Sequence, residues 1–484
     1  MRQLLHDRPR PAAPLRGRDR VRRLTGVRRV VAATAITALA ASALVSAGGG
    51  SGSAPDETVQ AAPAAAAAAP NPVTPGDFTG YGFDQCLAPT QRTMDTWLQH
   101  SPYLAVGIYI SGKSRACRSQ PNLTAAWVST QLAKGWRLLP ITLGPQASCQ
   151  PRFPRYSDDA SINPARGGGK YGKARAQGQA EGVTTVADAQ KLGLTAGSTL
   201  WYDLEGFTTT NVDCRESALS FLSAWTTKVQ ALGYVAGVYS SAGSGLNAID
   251  DARVTRPNAF NLPTRIWMAR WDGVANTSTS YLREDGWRPG GRVKQYRGGH
   301  DETWGGARIN IDTNFLDLGT GSVSRPEARC GGTRVDLASY PSLKPASASY
   351  TAPANQVRAL QCLLREQGLY QGPVNGTYNG AVTAAVRAWQ TRTGVKATNR
   401  WFARDWITLA AAGGKPVLKR GSAGADVRRV QRALVAARVG AAVPTGSFDA
   451  ATDQAVRRYQ RAVGVTQSGV VNAATWSRLV AGKR

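Results

Sequence analysis

Between residues 77 and 320 the chain alternates short apolar stretches with longer amphipathic ones, and this alternation leaves few folds open. Strand candidates lie at 81–85, 105–111, 136–143, 199–205, 235–240, 266–271, 293–296 and 308–315. Amphipathic runs such as LTAAWVSTQLAKG and ESALSFLSAWTTKVQALG separate several of them, and each closes on a Gly suited to a helix C-cap. Strand followed by helix, repeated to eight strands, predicts an α/β fold: a (β/α)8 TIM barrel. The long Gly-rich connection after residue 143 is expected to be a surface loop near the barrel mouth.

Parity along these strands singles out four acids. The fourth stretch ends in WYDLEG, residues 201–206, with two carboxylates spaced by two. Side chains alternate faces on a strand, so Trp201, Asp203 and Glu205 share one side while Tyr202 and Leu204 share the other. The eighth stretch repeats this with Asn310, Asp312 and Asn314 against Ile309, Ile311 and Phe315. In the first, Gly82 and Asp84 oppose Tyr81 and Phe83. The outward face of a barrel packs on helices and must be apolar, so the polar face points inward. Each acid is then expected at the C-terminal end of its strand, where barrel enzymes build their sites. Asp84, Asp203, Glu205 and Asp312 would converge on one mouth. Crowded carboxylates raise at least one pKa, giving a protonated acid beside ionised neighbours. Glycosidic bond cleavage uses that combination: an acid for the leaving oxygen, and negative charge near an oxocarbenium ion.

Other hydrolytic chemistries lack residues. The three histidines are His6, His100 and His300, with no H-E-x-x-H spacing, and no G-x-S-x-G elbow occurs. His100 reads as a surface residue, and His300 lies in GGHDET, read as a loop near the mouth. No cofactor and no metal set are expected.

The C-terminal part contains a repeat at an offset of 70 residues. Val357, Leu360, Gln361 and Leu364 recur as Val427, Val430, Gln431 and Leu434; Gly376 and Tyr378 as Gly446 and Phe448; Trp406 and Leu409 as Trp476 and Leu479. The helical spacing inside each copy predicts two small bundles, with Asp449 or Thr452 as a helix N-cap and Trp389, Trp406, Tyr459 and Trp476 as core. The pattern V-x-x-[LV]-Q-x-x-L, then G-[ST]-[YF], then a helix ending [WY]-Q before G-V, resembles the peptidoglycan-binding domain of bacterial wall hydrolases. The resemblance implies three-helix modules that hold peptidoglycan, and two in series can raise avidity.

The barrel region also carries a resemblance. GFD on the first strand, D-x-E on the fourth, W-x-A at Trp267 and Ala269, and QY followed by IDTNF resemble the glycoside hydrolase family 25 lysozymes. GFDQC, LAVGIYISG, ACRSQPNLTAAWV and GVYSSAGSG resemble more closely the actinobacterial glycoside-hydrolase-like domain once catalogued as domain of unknown function 1906. By this similarity Glu205 is the general acid, Asp203 orients the substrate's N-acetyl group as internal nucleophile, and Asp84 and Asp312 shape and charge the site. Candidate substrate contacts are Tyr109, Trp201, Tyr239, Trp267, Trp271 and Gln295. The function expected is cleavage of peptidoglycan glycan strands; the alternative is a catalytically silent barrel that binds wall glycan.

The remaining features fit an exported protein. Residues 1–47 combine an Arg-rich start, including Arg28-Arg29, with an alanine-heavy apolar run, and read as a signal peptide that touches the membrane only in transit. Residues 48–76 read as a flexible Gly/Ala/Pro tether, and 321–352 as a second linker between the barrel and modules at 353–413 and 414–484. Six cysteines follow the signal, an even number that favours disulfides. The expected pairs are Cys117 with Cys149, Cys330 with Cys362, and Cys86 with Cys214. The formal charge is +28, and 353–484 has twenty Lys and Arg against five Asp and Glu. For an exported chain this field suits an acidic cell envelope rather than nucleic acid. A monomer, secreted or wall-associated, is expected.

Overall fold

The computed structural model describes residues 70–319, 321, 324, 327, 329–440 and 443–484. The expected signal and the tether up to residue 69 lie outside the described residues. Among the described residues no helix is long and apolar enough to cross a membrane.

Eight strands close into a barrel in the order β1-β2-β3-β4-β5-β6-β7-β8. They are β1 (Thr79–Asp84), β2 (Ala105–Ser111), β3 (Arg137–Thr142), β4 (Thr199–Asp203), β5 (Val235–Ser241), β6 (Arg265–Ala269), β7 (Arg292–Trp304) and β8 (Ala307–Asp317). Helices α1 (Gln91–His100), α2 (Ala125–Ala133), α3 (Gly172–Lys191), α4 (Val212–Ala231) and α5 (Gly245–Thr255) follow the first five strands. The expected C-caps are in place: Gly135 and Gly233 adopt φ of +90° and +86°.

The inward and outward faces follow the parity of the sequence. Leu200 and Tyr202 of β4 join the layer between strands and helices, along with Phe83, Val106, Ile108, Ile266 and Met268. Trp201 points inward with Ala105, Leu139, Ile141, Trp267, Val293 and Leu316 to fill the barrel.

The last third of the barrel departs from strict strand-helix alternation. β7 runs parallel to β6, but β8 is antiparallel to both β7 and β1. Only Gly305 and Gly306 separate β7 from β8, both at positive φ (58° and 84°). A two-residue turn of this kind makes a hairpin, whereas a parallel return needs a crossover of roughly a dozen residues. The stretch containing GGHDET is therefore strand, not loop. Two register shifts in β7, between Gln295 and Arg297 and between Arg297 and His300, bend the hairpin over the rim. Its tip packs on α1, where Trp97 Nε1 donates to the Ala307 carbonyl at 3.0 Å.

The C-terminal region forms two three-helix modules: α6 (Ala354–Glu366), α7 (Gly380–Arg392) and α8 (Ala403–Ala410), then α9 (Ala425–Ala436), α10 (Ala450–Ala462) and α11 (Ala473–Val480). Asp449 caps α10 by accepting from the Thr452 amide. Trp389, Trp406, Tyr459 and Trp476 are all buried in this helical core.

Both expected linkers contain packed residues. Thr74 is buried, and its hydroxyl accepts from the Leu138 amide at 2.6 Å and donates to the Leu138 carbonyl at 2.9 Å. Val335, Leu337, Tyr340 and Leu343 are buried among the module helices. Asp336 pairs with Arg428 and Arg432 at 2.9 and 2.8 Å. Apolar residues scattered in a Pro- and Ser-rich stretch carry no period, so their burial left no signal in the sequence.

The second module docks on the end of the barrel away from the mouth. Lys419, fully buried, donates from Nζ to the carbonyls of Ser101 and Tyr103 at 2.7 and 3.0 Å, in the connection entering β2. Asn472 reaches the Gln99 carbonyl from the start of α11.

Candidate active site

All four acids from the alternating strands meet at one end of the barrel. Asp84 ends β1, Asp203 ends β4, and Glu205 lies two residues beyond it. Asp312 arrives differently from expectation. Because β8 is antiparallel, Asp312 stands in mid-strand, opposite Asp84 in the register. Alternation put it on the inner face, and the reversed strand direction moved it from the end of the strand to its middle.

Each acid has its own support. Asn314 Nδ2 donates to Asp84 Oδ1 at 2.6 Å. Gln295 Nε2 lies 3.3 Å from Asp84 Oδ1 and 3.3 Å from Asp312 Oδ2, while its Oε1 accepts from Tyr239 (3.0 Å) and Trp271 (2.9 Å). Gly107 on β2 gives Asp84 its room, since a Cβ there would come within 2.5 Å of the Asp84 Cβ. The Tyr109 hydroxyl faces Asp203 Oδ2 at 3.4 Å, and Asp203 Oδ1 is buried without a hydrogen-bond partner. Gln146, from the loop after β3, donates to the Asp203 carbonyl at 2.7 Å and accepts from the Glu205 amide at 2.8 Å. It fixes the backbone that delivers both acids. From the same loop, Arg152 Nη2 pairs with Glu205 Oε2 at 2.8 Å.

Burial dominates the electrostatics. It pushes the Asp84 carboxyl up to about 8, helped by the Asp312 charge and opposed by the Asn314 and Gln295 hydrogen bonds. Asp203 is held well above the ordinary carboxylate range by burial first, then by Glu205 and Asp84. Asp312 rises to about 6 through burial, with His300 opposing and Glu205 adding. The cluster thus favours protonated and ionised carboxyls side by side at neutral pH.

The cleft above these acids has a volume of about 600 Å³ and is lined by Asp84, Tyr109, Glu205 and Asp312, together with the Cys86–Cys117 pair and two arginines, Arg115 and Arg155. The other sequence candidates fall outside its lining. Trp201 and Trp267 are buried in the barrel interior as an edge-to-face pair with ring centroids 5.6 Å apart. Tyr109 and Tyr239 pack against them. Gln295 is buried and serves the acids. Trp271 is 66% exposed and stands at the rim. His300 bonds to Glu302 and the Gly298 carbonyl on the hairpin. His100 is exposed at the end of α1.

Arg115, Arg152, Arg155 and Gln146 were not among the sequence candidates. All four sit in long loops with no period to place them.

Two disulfides also differ from expectation. Cys86 bonds Cys117 and Cys149 bonds Cys214, while Cys330–Cys362 forms as expected. Strand adjacency explains the change. Cys86 and Cys117 follow the neighbouring strands β1 and β2, and Cys149 and Cys214 follow β3 and β4, so each bond joins adjacent loops at the rim. Sequence alone allows fifteen pairings of six cysteines and carries no such information.

Residues 95–316 match the model of the Rv2525c-like, glycoside hydrolase-like domain. Residues 353–400 and 423–479 both match that of a peptidoglycan binding domain. The chain carries a glycoside hydrolase-like domain of the Rv2525c type followed by peptidoglycan-binding domains. Among solved structures, an uncharacterized B. stearothermophilus protein is 20% identical over 49% of this chain and 95% of its own, with a TM-score of 0.33. The Mycobacterium tuberculosis Tat-secreted protein Rv2525c, crystallised with L-tartrate, is 11% identical over 50% of this chain and 98% of its own, with a TM-score of 0.32. The modular autolysin LytC from Streptococcus pneumoniae is 10% identical over 49% of this chain and 46% of its own, with a TM-score of 0.30. No curated protein matches. Asp84, Glu205 and Asp312 line the cleft and Asp203 is buried beneath it, and cell-wall glycan is the class of partner that the accompanying modules support.

Proposed function

We propose that the barrel is a muramidase, hydrolysing peptidoglycan glycan strands outside the cell while the C-terminal modules keep it on the wall. The observation that carries this reading is the convergence of Asp84, Asp203, Glu205 and Asp312 from three strands at one end of the barrel, where Asp84, Glu205 and Asp312 line a cleft and Asp203 lies buried beneath it. Glu205, on the cleft surface, gives its proton to the leaving glycosidic oxygen as the C1–O bond breaks. The substrate's N-acetyl oxygen bonds to C1 in the same step and forms an oxazolinium ion. Asp203 sits below, and its unpartnered Oδ1 is the acceptor for the N-acetyl N–H. Burial favours the neutral form of Asp203 in the free protein. Its proton passes to Glu205 as Glu205 leaves Arg152, so Glu205 carries the proton that the leaving oxygen takes, and the Asp203 anion faces the positive charge that develops on the oxazolinium. The interaction therefore strengthens toward the transition state, which is the condition for catalysis. Water then adds at C1, returns a proton to Glu205 and reopens the oxazolinium. Asp312 keeps the cleft electronegative at neutral pH, and Asp84 holds a proton beside it. The disulfides and the wall-binding modules support an extracellular location.

One observation favours the second reading, a barrel that binds wall glycan without cutting it. The Arg152–Glu205 ion pair occupies the proposed acid, which must leave it to carry a proton. Digestion of purified peptidoglycan decides between the two. New reducing ends that vanish in Glu205→Gln support the muramidase; glycan binding with no bond cleaved in the unaltered protein supports the silent barrel.

A further inference from the structure

The cleft is acidic on only one side. Asp84, Asp312 and Glu205 come from β1, β8 and the end of β4, while the wall formed beyond β2 and β3 presents Arg115 and Arg155. Arg115 uses Nε on the Gly112 carbonyl (2.8 Å) and Nη1 on the Tyr109 carbonyl (3.0 Å). Arg155 uses Nη1 on the Ser114 carbonyl (3.1 Å), and its guanidinium lies 4.8 Å from the Phe153 ring centroid. A guanidinium has five N–H donors, so both keep donors to spare. Among the described residues neither forms an ion pair with a carboxylate, unlike Arg152 with Glu205 or Arg118 with Asp158. The acids nearest in influence lie outside the cleft: Glu181 and Asp188 act on Arg115 from behind, and Asp159 accepts the Arg155 backbone amide. The Cys86–Cys117 bond, two residues past Arg115, ties this wall to the end of β1.

A neutral sugar gives two such cations nothing to neutralise, whereas a carboxylate takes a guanidinium fork in charge-assisted hydrogen bonds. The volume suits a ligand of disaccharide size. We infer that Arg115 and Arg155 form an anion subsite, and that the cleft selects glycans carrying a carboxylate beside the amino sugar at the acid cluster. This rests on the glycan reading above and gives its substrate class: an acidic amino-sugar polymer. Peptidoglycan offers two sources of that carboxylate, the lactyl group of a muramic residue without peptide, or the first acidic residue of an attached stem peptide.

Calorimetric titration of the full chain separates these cases. The probes are the N-acetylglucosaminyl–N-acetylmuramic acid disaccharide, its lactyl carboxamide, and the same disaccharide bearing an alanyl-glutamate dipeptide. All are measured on a Glu205→Gln background so that turnover does not interfere. The expected result is at least about tenfold tighter binding of one or both acidic probes than of the carboxamide. That preference collapses in Arg115→Met/Arg155→Met, and weakens in Arg155→Met alone, whose exposed side chain leaves the fold intact. Which acidic probe wins identifies the source. Equal binding of all three probes, binding of none, or a preference that survives in the double variant overturns the inference. The test is separable from the muramidase reading. Acid-over-amide preference without any wall cleavage leaves the subsite standing and removes the enzyme; normal cleavage with no preference does the reverse.

Discussion

Arg152 Nη2 stands 2.8 Å from Glu205 Oε2, bridging the loop after β3 to the segment after β4. If Glu205 is the proton donor, this pair is a resting contact that the glycan displaces. Glu205→Gln is then expected to lower release of reducing ends by roughly 10²–10⁴-fold, the usual worth of a positioned acid. Arg152→Gln is expected to keep the limiting rate within about tenfold of the unaltered protein. Reducing-end assays on purified walls check both.

The raised carboxyls make stability depend on pH. Asp84 is pushed up to about 8 and Asp312 to about 6, against an ordinary value of 3.8. Between the ordinary and raised values the folded chain keeps protons that the unfolded chain has released. Stability is therefore greatest at the acid end of that window and falls as pH climbs toward 8. Raising a carboxyl pKa by one corresponds to about 1.4 kcal/mol, so Tm should drop by roughly 3 °C or more between pH 5 and 8. Asp84→Asn, which still accepts from Asn314, should flatten that slope; thermal melts at several pH values measure it.

Gln146 is not itself part of the cleft lining, yet it bonds the carbonyl of Asp203 and the amide of Glu205. Gln146→Ala should lower kcat by about tenfold or more while leaving KM nearly unchanged, because it displaces acids without removing glycan contacts. Gln146→Glu keeps one of the two bonds and should recover part of the loss.

Trp271 is held at the rim by Gln295 and lies over Gly298, with most of its ring open to solvent. Trp271→Ala should weaken glycan binding by about tenfold, as loss of an exposed aromatic anchor does. It should leave Tm unchanged, since the ring adds little to the core.

The Cys149–Cys214 bond closes a loop 65 residues long and fastens the segment that carries Arg152 and Arg155. In the chain-entropy account a loop of that length is worth about 4 kcal/mol. Cys149→Ala/Cys214→Ala should lower Tm and also slow wall digestion, which a melt and a reducing-end assay distinguish from simple unfolding.

The acid cluster was legible in the sequence because burial on a barrel strand enforces a period of two. A carboxylate on the inner face of Thr199–Asp203 breaks the apolar run where it can be seen. The helical modules were legible through their 70-residue echo. The hairpin had a signal too, in Trp304-Gly305-Gly306-Ala307, whose paired glycines mark a two-residue turn; reading GGHDET as a loop obscured it. The arginine wall and Gln146 had none. They belong to loops whose course is set by disulfides and by strand neighbours, information that spacing along the chain does not contain.

Lys419 plugs the foot of the barrel, its Nζ donating to two carbonyls and lying against the face of Trp136, so the second module is tied there and does not swing like a weight on a string. On the muramidase reading, the docked module and the acid cluster stand at opposite poles of the barrel. A wall strand gripped at one pole is met at a set stand-off by the other, and fragments cut from it would cluster around a favoured length instead of spreading at random.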